Sequence, residues 1–187
     1  MKKKTIFIIG IIVVIALVIG VIIMLGKGDS AGAKFKTTED IVSMMNEIKK
    51  SNTLPDLETH ELNLDEIDSV KAYTGLNSTD LIDSIIVNEP AMGSQAYSVL
   101  AIKVKNMSVV EKVKQEVFDN IDMNKWLCVS ADKLVVTNTG DLIFVVMTSN
   151  DWFDDSYNAY KKYVNNEIGE ELEKETEEIE LPPEVIQ

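Results

Sequence analysis

Arginine is absent from this chain: each of its 18 cationic side chains is a lysine. That removes the planar fork best suited to gripping carboxylates and phosphates through paired hydrogen bonds. Cysteine and histidine occur once each, as Cys128 and His60. A single cysteine excludes an internal disulfide, so a domain outside the reducing cytosol must rest on its core, and Cys128 is expected as a buried, inert thiol. His60 stands between Glu58 and Glu61 in a Pro-bounded connector, with no second His or Cys to complete a zinc site. A structural or surface role is expected for it. Positive charge is scarce against 31 acids, for a formal charge of −13. Nucleic acid is not expected as a partner, because affinity for its backbone comes from neutralising phosphates with Lys and Arg. An anionic lipid surface would repel the chain too. Abundant Lys, Asn and Ile without Arg is a bias of A/T-rich coding sequence, which points to a low-GC bacterium.

What the chain does have is a long apolar run. It begins at Thr5, ends at Leu25 and holds no charged side chain. A helix of that length rises about 31 Å, the thickness of a bilayer's hydrocarbon core. Lys2, Lys3 and Lys4 precede it, so the positive-inside rule keeps the N-terminus cytoplasmic and places the remainder outside. Removing those three charges from the formal −13 leaves −16 for the external part. Ala31, Gly32 and Ala33 offer small residues at the spacing of a signal-peptidase site, but the run is longer than the usual 7 to 15 residues of a cleaved signal, so an uncleaved single-pass signal-anchor is expected. The expected organisation is a basic cytoplasmic segment at residues 1–4, a transmembrane helix at 5–25, a flexible linker at 26–37, an extracytoplasmic α+β domain at 38–166 and an acidic tail at 167–187.

Beyond the linker, Thr37 or Thr38 caps a helix whose apolar positions are Ile41, Met44, Met45 and Ile48. A second helix is expected from Leu64 as far as Thr74, capped by Asn63, with Ile67 and Val70 facing inward and Gly75 as its stop. The texture then turns to strands at residues 82–87 and 97–104, where alternation suggests one face more buried than the other. Ser108 and Glu111 form a capping-box pattern ahead of a helix bearing Val109, Val110, Val113, Val117, Phe118 and Ile121, and Trp126 and Leu127 are expected to close the core beyond it. Strands at 134–137 and 142–148 meet at Asn138-Thr139-Gly140-Asp141, a strong hairpin signal. Asn150 or Asp151 then caps a last helix with Phe153, Tyr157, Tyr160, Tyr163 and Val164. The fold class expected is therefore α+β: two helices, then a ββαββα unit whose four-stranded antiparallel sheet carries helices on one face. From Glu167 onward nine acids face one lysine, Lys174. Like charges at i,i+4 spacing disfavour a helix there, so a solvated tail dispensable for folding, even when cut at Glu173, is expected.

Residues suited to carrying chemistry are few. Ser130-Ala131-Asp132-Lys133 matches the SxxK pattern of serine acyl-enzymes, but it leads into a strand and no Lys-Thr-Gly follows. Asp151, Asp154 and Asp155 with Asn150 are oxygen-rich, yet lack EF-hand spacing and its glycine, and complementarity to a helix dipole explains them more cheaply. There is no Gly-rich phosphate loop, GxSxG or HExxH. No catalytic, cofactor or metal residue is assigned.

At Tyr73-Thr74-Gly75-Leu76-Asn77, at Glu89-Pro90-Ala91-Met92 with the strand that follows, and at residues 134–146 with Gly140, the chain resembles an uncharacterised family of Gram-positive envelope proteins. Its members are lipoproteins or anchored domains with a YYGID segment, a P-x-M turn and a Gly-containing VV hairpin. This chain has Tyr-Thr-Gly for Tyr-Tyr-Gly and no lipobox cysteine. The resemblance implies an extracytoplasmic location and a similar fold, and supplies no catalytic residue. The function expected is that of a membrane-anchored binding or accessory module of the cell envelope, not an enzyme, acting on a protein or polymer partner. The alternative is an envelope hydrolase or transferase with an unlocated carboxylate site.

Overall fold

A computed structural model describes residues 35–176. The expected basic segment, the span at 5–25, most of the linker and the end of the acidic tail lie outside those residues. Among the described residues no helix is long and apolar enough to cross a membrane.

Thr37 caps α1 (Thr38–Ile48) through a reciprocal box: its side chain accepts from the Asp40 N–H, and the Asp40 carboxylate accepts from the Thr37 N–H. Ile41, Met44, Met45 and Ile48 are all buried, as their spacing predicts. Phe35, expected in the linker, is also fully buried, and its carbonyl accepts from Lys103 Nζ at 2.6 Å. The domain therefore starts before residue 38, because an aromatic ring stacked against Tyr163 has left water.

The Pro-bounded connector holding His60 is a strand, β1 (Leu57–Glu61). Next comes α2 (Ile67–Thr74), shorter than expected at its start. Asn63 makes a turn by accepting from the Asp65 N–H at 3.1 Å rather than capping the helix. Ile67, expected inward, is exposed, whereas Val70 is buried. Gly75 ends the helix at φ +77, and a Cβ there would sit 2.5 Å from the backbone of Asn120. The first hairpin is β2 (Ile82–Pro90) and β3 (Tyr97–Val104). Asn106, not Ser108, then caps a 3-10 turn (Met107–Val109) leading into α3 (Val110–Asn120). The second hairpin is β4 (Lys133–Thr139) and β5 (Leu142–Thr148), followed by α4 (Asn150–Tyr163) and β6 (Leu172–Glu175).

All strand neighbours are antiparallel, in the order β1-β2-β3-β5-β4-β6. The α+β class is as expected, but the sheet has six strands rather than four. The two predicted hairpins form its centre, joined through β3 and β5, while β1 and β6 add an edge on each side. The second correction is that helices cover both faces. Ile85, Val87, Leu100, Ile102, Val136 and Val145 face α2 and α3, whereas Ile86, Val99, Ala101, Val135, Phe144 and Val146 face α1 and α4. Every residue of β5 is buried, which is what a near-continuous run such as Leu-Ile-Phe-Val-Val-Met reports when neither face meets water. The repeated order strand, strand, helix sends α3 to one face and α4 to the other.

β6 corrects the solvated reading of residues 172–175. It pairs with β4 from Lys133↔Glu175 to Val136↔Leu172, and Lys133 contacts both Glu173 and Glu175. Acids that repel one another along a helix are tolerated along this strand because Lys133 lies across from them. After α3 the chain makes a loop in which Trp126, half-buried, packs against the core as expected, whereas Leu127 is exposed and Cys128 is exposed at φ +64 instead of buried. The Ala131 N–H donates to the Met123 carbonyl at 2.9 Å and closes the base of that loop.

Candidate functional site

Beside α2, on the face it shares with α3, a cavity of about 230 Å³ is lined by Ala72, Tyr73, Glu89, Lys125 and Trp126. Three local features deliver these groups. Residues 72 and 73 lie in the last turn of α2, where Gly75 stops the helix. Glu89 comes near the end of β2, opposite Glu58 of β1. Lys125 and Trp126 come from the loop after α3, whose start is fixed by the Asn124 N–H donating to Asp122 Oδ1 at 2.9 Å.

Lys125 reaches back across the sheet. Its Nζ donates to Ser98 Oγ at 3.0 Å and lies 4.5 Å from the centroid of the Tyr73 ring and 5.2 Å from that of Trp126. Burial pushes the ammonium down to about 8, against an opposing pull from Glu89 and Asp122. Neither carboxylate is in contact with it, since no ion pair involves Lys125 among the described residues. Three other lysines that are partly or fully buried do have a carboxylate in contact: Lys103 has Asp141 at 2.7 Å, Lys114 has Glu111 at 2.9 Å, and Lys133 has Glu175 at 2.9 Å, whereas the partly buried Lys49 and Lys174 donate to Thr59 and to the Phe118 carbonyl instead.

Tyr73 donates to Glu89 Oε1 at 2.6 Å. Burial first, and then this carboxylate, hold the phenol well above its ordinary range, so it remains the donor. His60 Nε2 lies 3.5 Å from the same oxygen, and its ring meets Tyr73 edge-on at 6.0 Å. A second cavity of about 440 Å³ continues along α2 and shares Ala72 and Lys125 with the first. Lys71, Asn77, Asn120 and Asp122 line it.

The residues weighed from sequence fare differently. His60 is brought to the cleft by a strand where the sequence predicts a connector. Lys133 of the SxxK pattern is committed to Glu173 and Glu175, which raise it. Asp155 accepts from Thr53, while Asp151 and Asp154 are exposed. No group of three or more His, Cys, Asp or Glu is arranged to hold a metal among the described residues. Tyr73, Glu89, Lys125 and Trp126 are not legible as a set in the sequence. The one signal available was a lysine adjoining one of only two tryptophans in a loop, since the rest depends on how α2, β2 and that loop pack together. Comparison with protein-family models, curated proteins and solved structures finds no match.

Proposed function

We propose that the protein is a membrane-anchored, extracytoplasmic binding module of a bacterial envelope whose ligand enters the cleft between α2, β2 and the loop after α3. The anchor rests on the uncharged run at 5–25 behind Lys2, Lys3 and Lys4. The resemblance to Gram-positive envelope proteins supports the same location. The observation that carries the binding reading is Lys125, a partly buried cation on a cavity wall that has Ser98 Oγ as its hydrogen-bond acceptor and no carboxylate in contact, unlike Lys103, Lys114 and Lys133. Such a site is built for an occupant, because a buried charge is costly until something pairs with it.

Two measurements test the proposal. Protease added to wall-stripped cells should digest the chain after Lys27, and protection until the membrane is permeabilised would overturn the orientation. A photocrosslinking side chain at Trp126 should capture one envelope species that the same group at Met107 does not. Equal capture at both positions would overturn the cleft as the binding site.

A further inference from the structure

We infer that the cleft recognises a small zwitterion, an amino acid or dipeptide, with the ligand carboxylate on Lys125 and the ligand ammonium on Glu89. The inference rests on the cleft being the ligand site and adds the chemistry of what fills it. An ammonium has three protons to give, and Lys125 gives one to Ser98 Oγ. Its other neighbours are the faces of Tyr73 and Trp126, which attract a cation without accepting in the way an oxygen does. Two donors therefore remain for the cavity. Glu89 supplies the opposite end. Its Oε1 is engaged by Tyr73, with His60 at 3.5 Å, while Oε2 has no hydrogen-bond partner among the described residues. Tyr73 thus fixes the carboxylate and leaves one oxygen to accept.

Charge balance selects the ligand class. The cavity that holds both poles presents Lys125 against Glu89, one charge of each sign. A ligand carrying net charge would leave one of these unmatched, and an anion would also approach a protein of net charge −13. A zwitterion satisfies both poles and has no net charge to repel. Charge-assisted hydrogen bonds are roughly twice as strong as neutral ones, so a carboxylate and an ammonium use these groups better than sugar hydroxyls do. The cavity of about 230 Å³ that holds both poles is below the roughly 300 to 1,000 Å³ of drug-sized pockets, which matches an occupant of amino-acid or dipeptide size. Ala72 and the two rings provide the apolar wall for its side chain.

The test uses the full chain purified in detergent and titration calorimetry at neutral pH. The probes are L-alanine, L-alanyl-L-alanine, N-acetyl-L-alanine, L-alaninamide and N-acetylglucosamine. The expected result is that alanine or the dipeptide binds, identifying which of the two the cleft accepts. Blocking either the amine or the carboxylate should weaken binding at least about tenfold, a difference of about 1.4 kcal/mol. Lys125→Met and Glu89→Gln should each produce a similar loss in protein that still unfolds cooperatively. The blocked probes test the same contacts on unaltered protein, should either variant fail to fold. Equal binding of a blocked probe, binding of the sugar alone, or no binding of any probe at millimolar concentration would overturn the inference. Site-selective crosslinking at Trp126 in any of those cases would leave the cleft as a binding site for another ligand class.

Discussion

The hydroxyl of Tyr73 donates to Oε1 of Glu89 at 2.6 Å and so ties the last turn of α2 to the end of β2. Removing the hydroxyl leaves a partly buried carboxylate with one partner fewer. Tyr73→Phe should lower stability by about 1 kcal/mol, below the roughly 1.5 to 3 kcal/mol of bonds to charged groups because the site is partly open to water. Denaturant unfolding of both proteins measures it, and no change would show that water replaces the phenol at no cost.

Lys125 gives a pH dependence whose sign can be fixed. Its ammonium loses a proton near pH 8 in the fold and near 10.5 in the unfolded chain. Between those values the unfolded state holds more protons, so this group's contribution to stability rises with pH. Below pH 8 the penalty of burying the cation is present in full. Unfolding free energies of Lys125→Met relative to the native protein should therefore be most favourable at neutral pH, with the advantage shrinking as pH climbs from 8 toward 10.5. A difference that does not vary with pH would mean the lysine titrates alike in both states.

Gly75 is held at φ +77, with the backbone of Asn120 2.5 Å from where a Cβ would stand. The obstructing atoms are main chain, not a side chain that can swing away. Gly75→Ala should cost more than about 2 kcal/mol, combining left-handed backbone strain with displacement of the end of α3. Gly93, where an added Cβ would meet nothing within 4 Å, provides the comparison. Gly93→Ala should stay within about 0.5 kcal/mol. Thermal melts of the two variants distinguish the positions.

Ending the chain after Leu172 should not be neutral. It removes three of the four residues that pair with β4, together with the Lys174 Nζ bond to the Phe118 carbonyl and the Thr176 Oγ1 bond to the Ala131 carbonyl. A loss of about 2 kcal/mol is expected from several hydrogen bonds of modest net worth, lowering the melting temperature by several degrees. The exposed edge of β4 should also favour aggregation, which light scattering would detect. An unchanged melt would restore the dispensable tail.

Local signals carried well where one element decided its own form. Ile41, Met44, Met45 and Ile48 form the buried stripe of α1, Gly75 stops α2, and Asn138 through Asp141 mark the turn between β4 and β5. The edges were not legible. β1 contains Glu58, His60 and Glu61, which alternate poorly with apolar residues because an edge strand has water on one side. β6 reads Leu-Glu-Lys-Glu and looks like solvated chain until Lys133 is placed across from its acids. The cleft was hidden for the same reason: Glu89 and Lys125 lie 36 positions apart and come to line one cavity only after β2, β3 and α3 have packed.

By itself, then, the sequence determined the α+β class, the two central hairpins and the positions of the main helices, because hydrophobic period and turn chemistry act within a dozen residues. It also determined the net acidic charge. The tertiary structure decided that helices cover both faces, that the sheet gains β1 and β6, and that Lys125 is partly buried beside Tyr73 without a carboxylate in contact. Those outcomes depend on which distant surfaces leave water together, and the free energy of that choice belongs to the packed whole rather than to any segment.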